Sequence, residues 1–366
     1  MDKLPSLKIG RLEINPPFIL GGMGVRSTDH PLVAAVANHG MAGTIASVGL
    51  IRHECRGSVY VEESNAGLID EIRASRKLSP NGIIGVNIMV ALTNYEELVK
   101  TAINEKIDYI ISGAGLPMSL PALAAGSGTY LIPVVSSARS AELICKRWWG
   151  RDNYAPDALV VEGALAGGHL GFNREEVLHW DEFTLDSVCE EVIEVAKRYE
   201  DITGKHIPVV AAGGIYDGKD IARLLKTGVE GVQLATRFLA TDECTLPDNC
   251  KQLIIDAEKE DLVLLNSPVG LPGRALRNQL VEMVMRGEKL PISCPYHCLR
   301  TCDPGTAAFC IAAALVGAHN GDDKYGLIMA GYNAYRIKKI VPVKELIDEL
   351  VSEALDAINQ EAVAQV

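Results

Sequence analysis

The sequence lacks a long hydrophobic run, an excess of basic residues and a pattern of paired cysteines. No stretch approaches the ~18 apolar residues that a membrane helix needs, so we expect no transmembrane span. The N-terminus has neither a long apolar run nor a small-residue cleavage site, which predicts no secretory signal. The formal net charge of -12 argues against nucleic acid or an acidic membrane as a partner, because both favour a basic surface.

The cysteines do not form the framework of a small disulfide-bonded domain. Their number, nine, is odd. Five of them are scattered along the chain: Cys55, Cys145, Cys189, Cys244 and Cys250. This usage fits a reducing compartment, so we predict a cytoplasmic protein. Neither a tandem repeat nor a low-complexity tract is visible.

What the sequence does contain is a series of short apolar runs rich in Ile and Val. With 366 residues, 48% of them hydrophobic, the chain can form one large α/β domain or two average ones. Runs that are apolar on both faces are typical of buried parallel strands. The predicted strands are Phe18–Gly22, Gly43–Ser47, Ile83–Ile88, Tyr109–Ser112, Leu131–Val135, Ala158–Glu162, Pro208–Ala212 and Gly231–Ala235.

Amphipathic stretches separate these runs and predict helices. Examples are Glu96–Asn104, Ser140–Trp149, Leu185–Tyr199 and Asp220–Thr227. Eight β-then-α units favour a closed TIM (β/α)8 barrel over an open doubly wound sheet, for which six strands normally suffice. We therefore assign residues 1–244 to an α/β barrel, 245–340 to a smaller cap with a Cys-rich segment, and 341–366 to a C-terminal helix packing on the barrel.

We expect the catalytic and binding residues in the loops that follow the strands, because TIM-barrel active sites lie at the carboxyl ends of the strands. After the sixth strand comes Gly167-Gly168-His169. A lone histidine is more often structural, but the adjacent glycines and the strand-end position favour a role in proton transfer. The loops after strands seven and eight are the habitual phosphate site of this fold, and Gly213, Gly214 and Thr236 suit it.

Several stretches, in order, resemble the nitronate monooxygenase (2-nitropropane dioxygenase) family, which is related to the FMN-dependent enoyl-ACP reductase II. They are PPFILGGMGV, GVNIMV, IISGAG, IPVVSSARSA, VVEGALAGGHLG, IPVVAAGGIYDG, GVQLATRF and SPVGLPGRALRNQL. The resemblance implies a TIM barrel with non-covalent FMN and His169 as the acid or base beside it. It further implies that Gly22, Met23 and Asn87 flank the flavin ring, that Glu162, Gly167 and Gly168 line its side, and that Gly213, Gly214, Gln233 and Thr236 hold the ribityl phosphate.

Two features depart from the family's pattern. Ala235 stands where relatives usually have Gly, so its methyl group is expected to shift the phosphate loop slightly. The second departure is a C-x3-C-x3-C-x7-C segment formed by Cys294, Cys298, Cys302 and Cys310. Four clustered thiols suit a soft metal or an iron–sulfur cluster, but the spacing matches neither zinc ribbons nor ferredoxins, and reduced cysteines in a cap are the alternative. Tyr296 and His297 are expected to be wall residues rather than ligands.

The sequence leaves three functional hypotheses. The first is oxidation of an alkyl nitronate with O2. The second is NAD(P)H-dependent reduction of an enoyl thioester or a quinone through FMN, with His169 as proton donor. The third, a phosphate-binding aldolase or isomerase, is weakened because no strand-end lysine is placed for a Schiff base. All three imply a small-molecule substrate, and barrels of this kind often form homodimers.

Overall fold

The computed structural model describes residues 3–51, 59–294 and 297–364. Its strands are β1 (Leu7–Ile9), β2 (Leu12–Ile14), β3 (Phe18–Leu20), β4 (Gly43–Ala46), β5 (Ile84–Met89), β6 (Tyr109–Gly113), β7 (Tyr130–Val135), β8 (Leu159–Glu162), β9 (Gly168–His169), β10 (Val209–Ala212), β11 (Gly231–Leu234), β12 (Leu262–Asn266) and β13 (Pro272–Leu276). The helices are α1 (His30–Asn38), α2 (Val59–Leu78), α3 (Tyr95–Asn104), α4 (Leu120–Leu123), α5 (Ala138–Asp152), α6 (Arg174–Leu178), α7 (Leu185–Thr203), α8 (Gly218–Thr227), α9 (Thr236–Leu239), α10 (Asp248–Asp256), α11 (Gln279–Met285), α12 (Ile311–His319) and α13 (Val343–Ala364). Three short 3-10 helices are Trp180–Glu182, Lys259–Asp261 and Tyr332–Arg336.

Eight parallel strands form the barrel, in the order β3-β11-β10-β8-β7-β6-β5-β4. The ring closes between β3 and the residue just before β4, where Ile19 pairs with Ala42. The backbone N–H of Leu20 donates to the Ala42 carbonyl at 2.8 Å, and the N–H of Ala42 donates to the Phe18 carbonyl at 3.0 Å. The TIM-barrel prediction is confirmed, and every predicted barrel strand is present within two residues of its expected bounds.

A hairpin that was not predicted, β1 and β2, closes the amino-terminal end of the barrel. Leu7, Ile9 and Ile14 are fully buried in the cluster that fills the barrel interior. The N–H of Arg11 donates to the hydroxyl of Tyr130, the first residue of β7, at 2.8 Å. With this end filled by side chains, a ligand can enter only at the carboxyl ends of the strands.

The segment after residue 244 covers that open end. Strands β12 and β13 pair antiparallel, and β13 also pairs with β9, which belongs to the loop that follows β8. Gly273 lies opposite His169, and Arg274 lies opposite Gly168. The candidate histidine therefore sits on a barrel loop that the cap incorporates into its own sheet.

The segment from Gly326 to Ile337 joins the cap to the barrel. The N–H of Tyr332 donates to the Leu165 carbonyl at 3.0 Å, and the Asn333 amide donates to the Gly214 carbonyl at 2.6 Å. The predicted C-terminal helix is α13, which packs against α8 at Gly218. No helix in the described ranges is both long and apolar enough to cross a membrane.

Candidate active site

A cavity of about 260 Å³ lies at the carboxyl ends of the barrel strands, beneath the cap. It brings together every residue that the sequence placed around the flavin: Gly22, Met23, Asn87, Glu162, Gly167, Gly168, His169, Gly213, Gly214, Gln233 and Thr236. Their individual roles stay predictions. Among the described residues no Lys, Arg or Asp lines the cavity, and its titratable side chains include Glu162, His169 and His319.

The side chain of His169 is fixed by the cap. Its Nε2 lies 2.8 Å from the Oγ of Ser267, at the turn between β12 and β13. The ring faces the cavity and is shielded from bulk water, which lowers the pKa of His169 to about 4. The imidazole is therefore neutral at pH 7.

The hydrogen bonds of Ser267 determine which ring nitrogen carries the proton. The Ser267 Oγ accepts from the N–H of Val269 at 3.2 Å, and Ser267 is buried. Within the described residues, His169 Nε2 is the one acceptor for the remaining hydroxyl hydrogen. If Ser267 donates to Nε2, the proton of the neutral ring lies on Nδ1, and an Nδ1–H group is left to donate to a ligand.

Glu162 is the second proton carrier of the cavity. It is the last residue of β8, and its carboxyl group faces the cavity rather than solvent. Burial raises the pKa of Glu162 to about 8, because no cation offsets the cost of desolvating the carboxylate. At pH 7 the side chain is mostly a neutral acid that can donate a hydrogen bond.

The loops after β10 and β11 provide neutral donors at one end of the cavity. Gly213 and Gly214 have φ angles of 90° and 79°, a left-handed conformation that glycine adopts without strain. Neither of their backbone N–H groups has a partner in the described structure. Thr236 Oγ1 accepts from the Gly331 N–H at 2.9 Å, which leaves its hydroxyl hydrogen to donate. Three neutral donors thus converge where this fold usually binds phosphate.

Two amide side chains, Gln233 on β11 and Asn87 on β5, also line the barrel mouth. Gln233 Oε1 is buried and has no hydrogen-bond partner in the described structure. An acceptor in this state suits an N–H or O–H of a ligand better than a phosphate oxygen. Asn87 also lines the cavity, and a Cβ on Gly22 would lie 2.5 Å from its Cβ. Gly22 is therefore required for the close packing of Asn87.

Ala235 precedes Thr236 without distortion. Its φ is -134°, which any residue adopts. Its methyl group lies beside Gly21, where an added Cβ would meet it at 3.2 Å. The substitution fits because Gly21 has no side chain.

The cap wall of the cavity, which sequence reasoning missed, is apolar. It is formed mainly by Val269, Leu299, Ile311, Leu315, Leu327 and Met329. Ser267 was missed as well, although its stretch SPVGLPGR was one of those that carried the resemblance. Its contact with His169 spans 98 positions of sequence, and no local pattern reveals a partner that distant.

The four clustered cysteines lie outside the main cavity, except Cys298. Cys294, Cys298, Cys302 and Cys310 are free thiols that line a separate, smaller cavity, and His297 belongs to its wall, as expected. Tyr296 lies outside the described residues. Over the described ranges, no group of three or more His, Cys, Asp or Glu side chains is arranged to hold a single metal ion.

The chain is similar to known oxidoreductases along most of its length. The nitronate monooxygenase family model matches residues 5–353. A Mycobacterium tuberculosis protein, (3aS,4S,5R,7aS)-5-hydroxy-7a-methyl-1-oxo-octahydro-1H-indene-4-carboxyl-CoA dehydrogenase, is 30% identical over 276 residues, which cover 75% of this chain and 67% of that protein. A probable nitronate monooxygenase of Staphylococcus aureus is 26% identical over 314 residues, covering 76% of this chain and 79% of that protein.

Solved structures show the same architecture. FabK from Thermotoga maritima superposes with a TM-score of 0.73 at 27% sequence identity. The match covers 95% of this chain and 95% of that one. It therefore includes both the barrel and the cap.

Proposed function

The chain belongs to the nitronate monooxygenase family of FMN-dependent oxidoreductases, and from that premise we propose that it binds FMN in the barrel mouth and oxidises alkyl nitronates with O2. When bound, FMN supplies the two-electron exchange with the substrate and with O2. The protein supplies binding, orientation and control of protons.

The residues of the cavity fit FMN in three respects. The free N–H groups of Gly213 and Gly214 and the hydroxyl of Thr236 suit a phosphate group. The unpartnered Oε1 of Gln233 suits a ring N–H or a ribityl hydroxyl. The apolar cap wall leaves a water-poor space above the barrel in which a flat aromatic ring can stack.

The nitronate proposal rests on the hydrogen-bond contact between His169 Nε2 and Ser267 Oγ. A nitronate is already deprotonated, so it needs a hydrogen-bond donor to its oxygens rather than a base. The Nδ1–H expected from the Ser267 contact is such a donor. Glu162, neutral at pH 7, adds no negative charge that would repel the anion.

The second candidate is NAD(P)H-dependent redox chemistry on an acyl thioester or a quinone. The extended apolar wall formed by the cap has room for a larger apolar group than a small nitroalkane carries. The Mycobacterium tuberculosis relative is named as a dehydrogenase of a CoA thioester. In this reaction the Nδ1–H of His169 would donate to the substrate carbonyl oxygen, and its burial would again keep the ring neutral.

Anaerobic mixing experiments separate the two candidates. The purified protein, loaded with FMN, is mixed without O2 with an alkyl nitronate, with NADH and with NADPH in turn, and flavin absorbance is followed. Rapid bleaching by the nitronate, with O2 consumption after air is admitted, supports the first candidate. Rapid bleaching by NADH or NADPH, followed by reoxidation of the flavin by an enoyl thioester or a quinone, supports the second candidate. Together with a lack of bleaching by the nitronate, this result contradicts the first candidate.

A further inference from the structure

Four thiols from one short segment of the cap line the same small cavity. Cys294, Cys298, Cys302 and Cys310 all line it, and all four are half-buried free thiols. The remaining cysteines of the described chain are different: Cys145, Cys189, Cys244 and Cys250 are each buried in the core. The cap segment thus gathers four thiols at one place while the rest of the chain keeps its thiols apart.

The segment that carries these thiols is anchored to the barrel. The N–H of Thr93 donates to the Cys298 carbonyl at 3.1 Å, and its hydroxyl donates to the His297 carbonyl at 2.8 Å. The N–H of Arg300 donates to the Ala91 carbonyl at 2.9 Å. These bonds fix the middle of the Cys segment to the loop that follows β5, so the thiols are held by the fold.

The ends of the segment are ordered as well. The carboxylate of Asp303 accepts from the N–H of Gly305 at 2.9 Å, which shapes the turn between Cys302 and Cys310. Cys310 is the residue that precedes α12, so its position is set by the start of that helix. The described cysteines form no disulfide, so the four thiols around this cavity are free to act as ligands.

The arrangement favours a cluster of metal ions over one ion. A single zinc ion needs all its thiolates at ~2.3 Å from one point, and no set of side chains in the described ranges meets that requirement. In an iron–sulfur cluster the thiolates are spread over several irons, with inorganic sulfide between them, so the four sulfur atoms stand farther apart. The cavity between the thiols is about 20 Å³, so binding of a cluster requires the side chains that line it to rearrange.

The thiol cavity shares a wall with the flavin cavity. Cys298, Leu299, Ile311 and Ala312 line both. These shared residues place the thiols beside the candidate active site rather than on a remote surface.

We propose that Cys294, Cys298, Cys302 and Cys310 ligate an iron–sulfur cluster in the cap, next to the flavin cavity. The ligand set is four thiolates, which is the usual set for such clusters. The proposal concerns the cap alone and does not depend on nitronate or thioester chemistry in the barrel.

The test is an iron and acid-labile sulfide analysis of the full chain, purified without O2 and then incubated with ferrous iron, sulfide and a thiol reductant. The expected result is co-elution of iron and sulfide with the protein, together with an electron paramagnetic resonance signal after reduction that differs from a flavin radical. Cys302→Ala and Cys310→Ala should lose the bound iron and sulfide. The matched control Cys189→Ala, in the core of α7, should keep both.

Three results would overturn the proposal. One is wild-type protein that holds no more iron than the Cys302→Ala/Cys310→Ala double variant. Another is bound zinc without sulfide. The third is a disulfide among the four residues, detected by mass spectrometry after thiol alkylation of the anaerobic protein. Far-ultraviolet circular dichroism and FMN content show whether each variant is folded, independently of its iron.

Discussion

His169 and Glu162 are two titratable side chains at the barrel mouth, and their protonation states affect what the site can do. Both are neutral at pH 7, and burial is the cause in each case: it lowers the pKa of His169 to about 4 and raises the pKa of Glu162 to about 8. A cavity with no ionised side chain among its described lining residues leaves the electrostatics to the bound cofactor and substrate. Hydrogen-bond donors, rather than charges, must then stabilise the charge that develops in the reaction.

Replacement of His169 tests its place in proton control. His169→Ala should keep its bound FMN, because the phosphate-end donors are elsewhere, yet lose turnover by ~10²–10⁴-fold. Steady-state kinetics and flavin content measure the two properties separately. His179→Ala, an exposed histidine bonded to the Glu175 carbonyl, is the control and should be unaffected. Full activity of His169→Ala would remove the histidine from the mechanism.

Ser267 is a positioning residue that acts through His169. Ser267→Ala removes the hydroxyl group that contacts His169 Nε2 and that accepts from the Val269 N–H. Loss of the bond to His169, worth about 1 kcal/mol, should lower kcat by ~5-fold, less than for His169→Ala. The wild-type pH profile should show no histidine inflection near 6.5, since burial lowers the pKa of His169. In Ser267→Ala we expect the ring to move and the low-pH limb of the profile to shift. Ser136→Ala, which loses a bond to the Gly171 carbonyl instead, is the control.

Glu162 should determine how kcat/KM changes at alkaline pH. As pH rises through about 8 the carboxyl ionises, and its charge should repel an anionic substrate, so kcat/KM for a nitronate should fall. Glu162→Gln should remove that fall, while Glu175→Gln on the exposed face of α6 should not.

Glu162 should also make the stability of the fold depend on pH. Its pKa is raised from 4.5 in the unfolded chain to about 8 in the folded protein, so between these pH values the folded protein holds an extra proton. The free energy of unfolding should therefore decrease from pH 4.5 to 8 more in wild type than in Glu162→Gln. Parallel profiles for the two proteins would contradict this assignment.

At the scale of elements, the pairing of β9 with β13 places the histidine. Arg274 on β13 is buried and donates through one nitrogen to the carbonyls of Ala164 and Ala166, at 2.7 and 2.6 Å. These bonds tie the loop after β8 to the cap sheet. Gly167 completes the contact, because a Cβ there would lie 2.5 Å from the backbone of Ala330.

Loss of Arg274 should therefore loosen the histidine loop. Arg274→Ala leaves two buried carbonyls without a donor, at ~1–3 kcal/mol each, so the melting temperature should fall and FMN should bind more weakly. Thermal denaturation and FMN titration are the measurements. Arg277→Ala, one residue beyond the same strand, loses a half-exposed ion pair with Asp261 and an exposed bond to the Glu260 carbonyl, and should change stability by ~1 kcal/mol or less. Equal effects of the two substitutions would contradict the role given to Arg274.

The barrel strands could be predicted from sequence because each is a short run that is apolar on both faces, such as the buried stretch from Leu159 to Val161. The elements that escaped prediction are those with weak local signals. Strand β9 is two residues long, and it exists only because β13, about 100 positions later, pairs with it. In the same way, Gly213 and His169 could be predicted from strand-end position and resemblance, whereas Ser267 depends on a contact between distant segments.

At the scale of the whole molecule, the barrel and the cap contribute different groups to the candidate active site. The barrel contributes the donors for a phosphate and the amides Asn87 and Gln233, all at strand ends. The cap contributes the apolar wall, the partner of His169 and the four-thiol cavity. The hairpin at the opposite end fills the barrel with side chains, and the cavity of about 260 Å³ lies between the barrel and the cap.

The central claim is that this cavity holds FMN, and the absorbance spectrum of the purified full-length protein tests it most directly. We predict a yellow protein with the two visible-region bands of an oxidised flavin, which releases FMN, and not FAD, on heat denaturation. Gly214→Val, whose side chain would enter the left-handed loop against Leu165, should lose the colour. A colourless wild-type protein that also fails to take up added FMN would contradict the account.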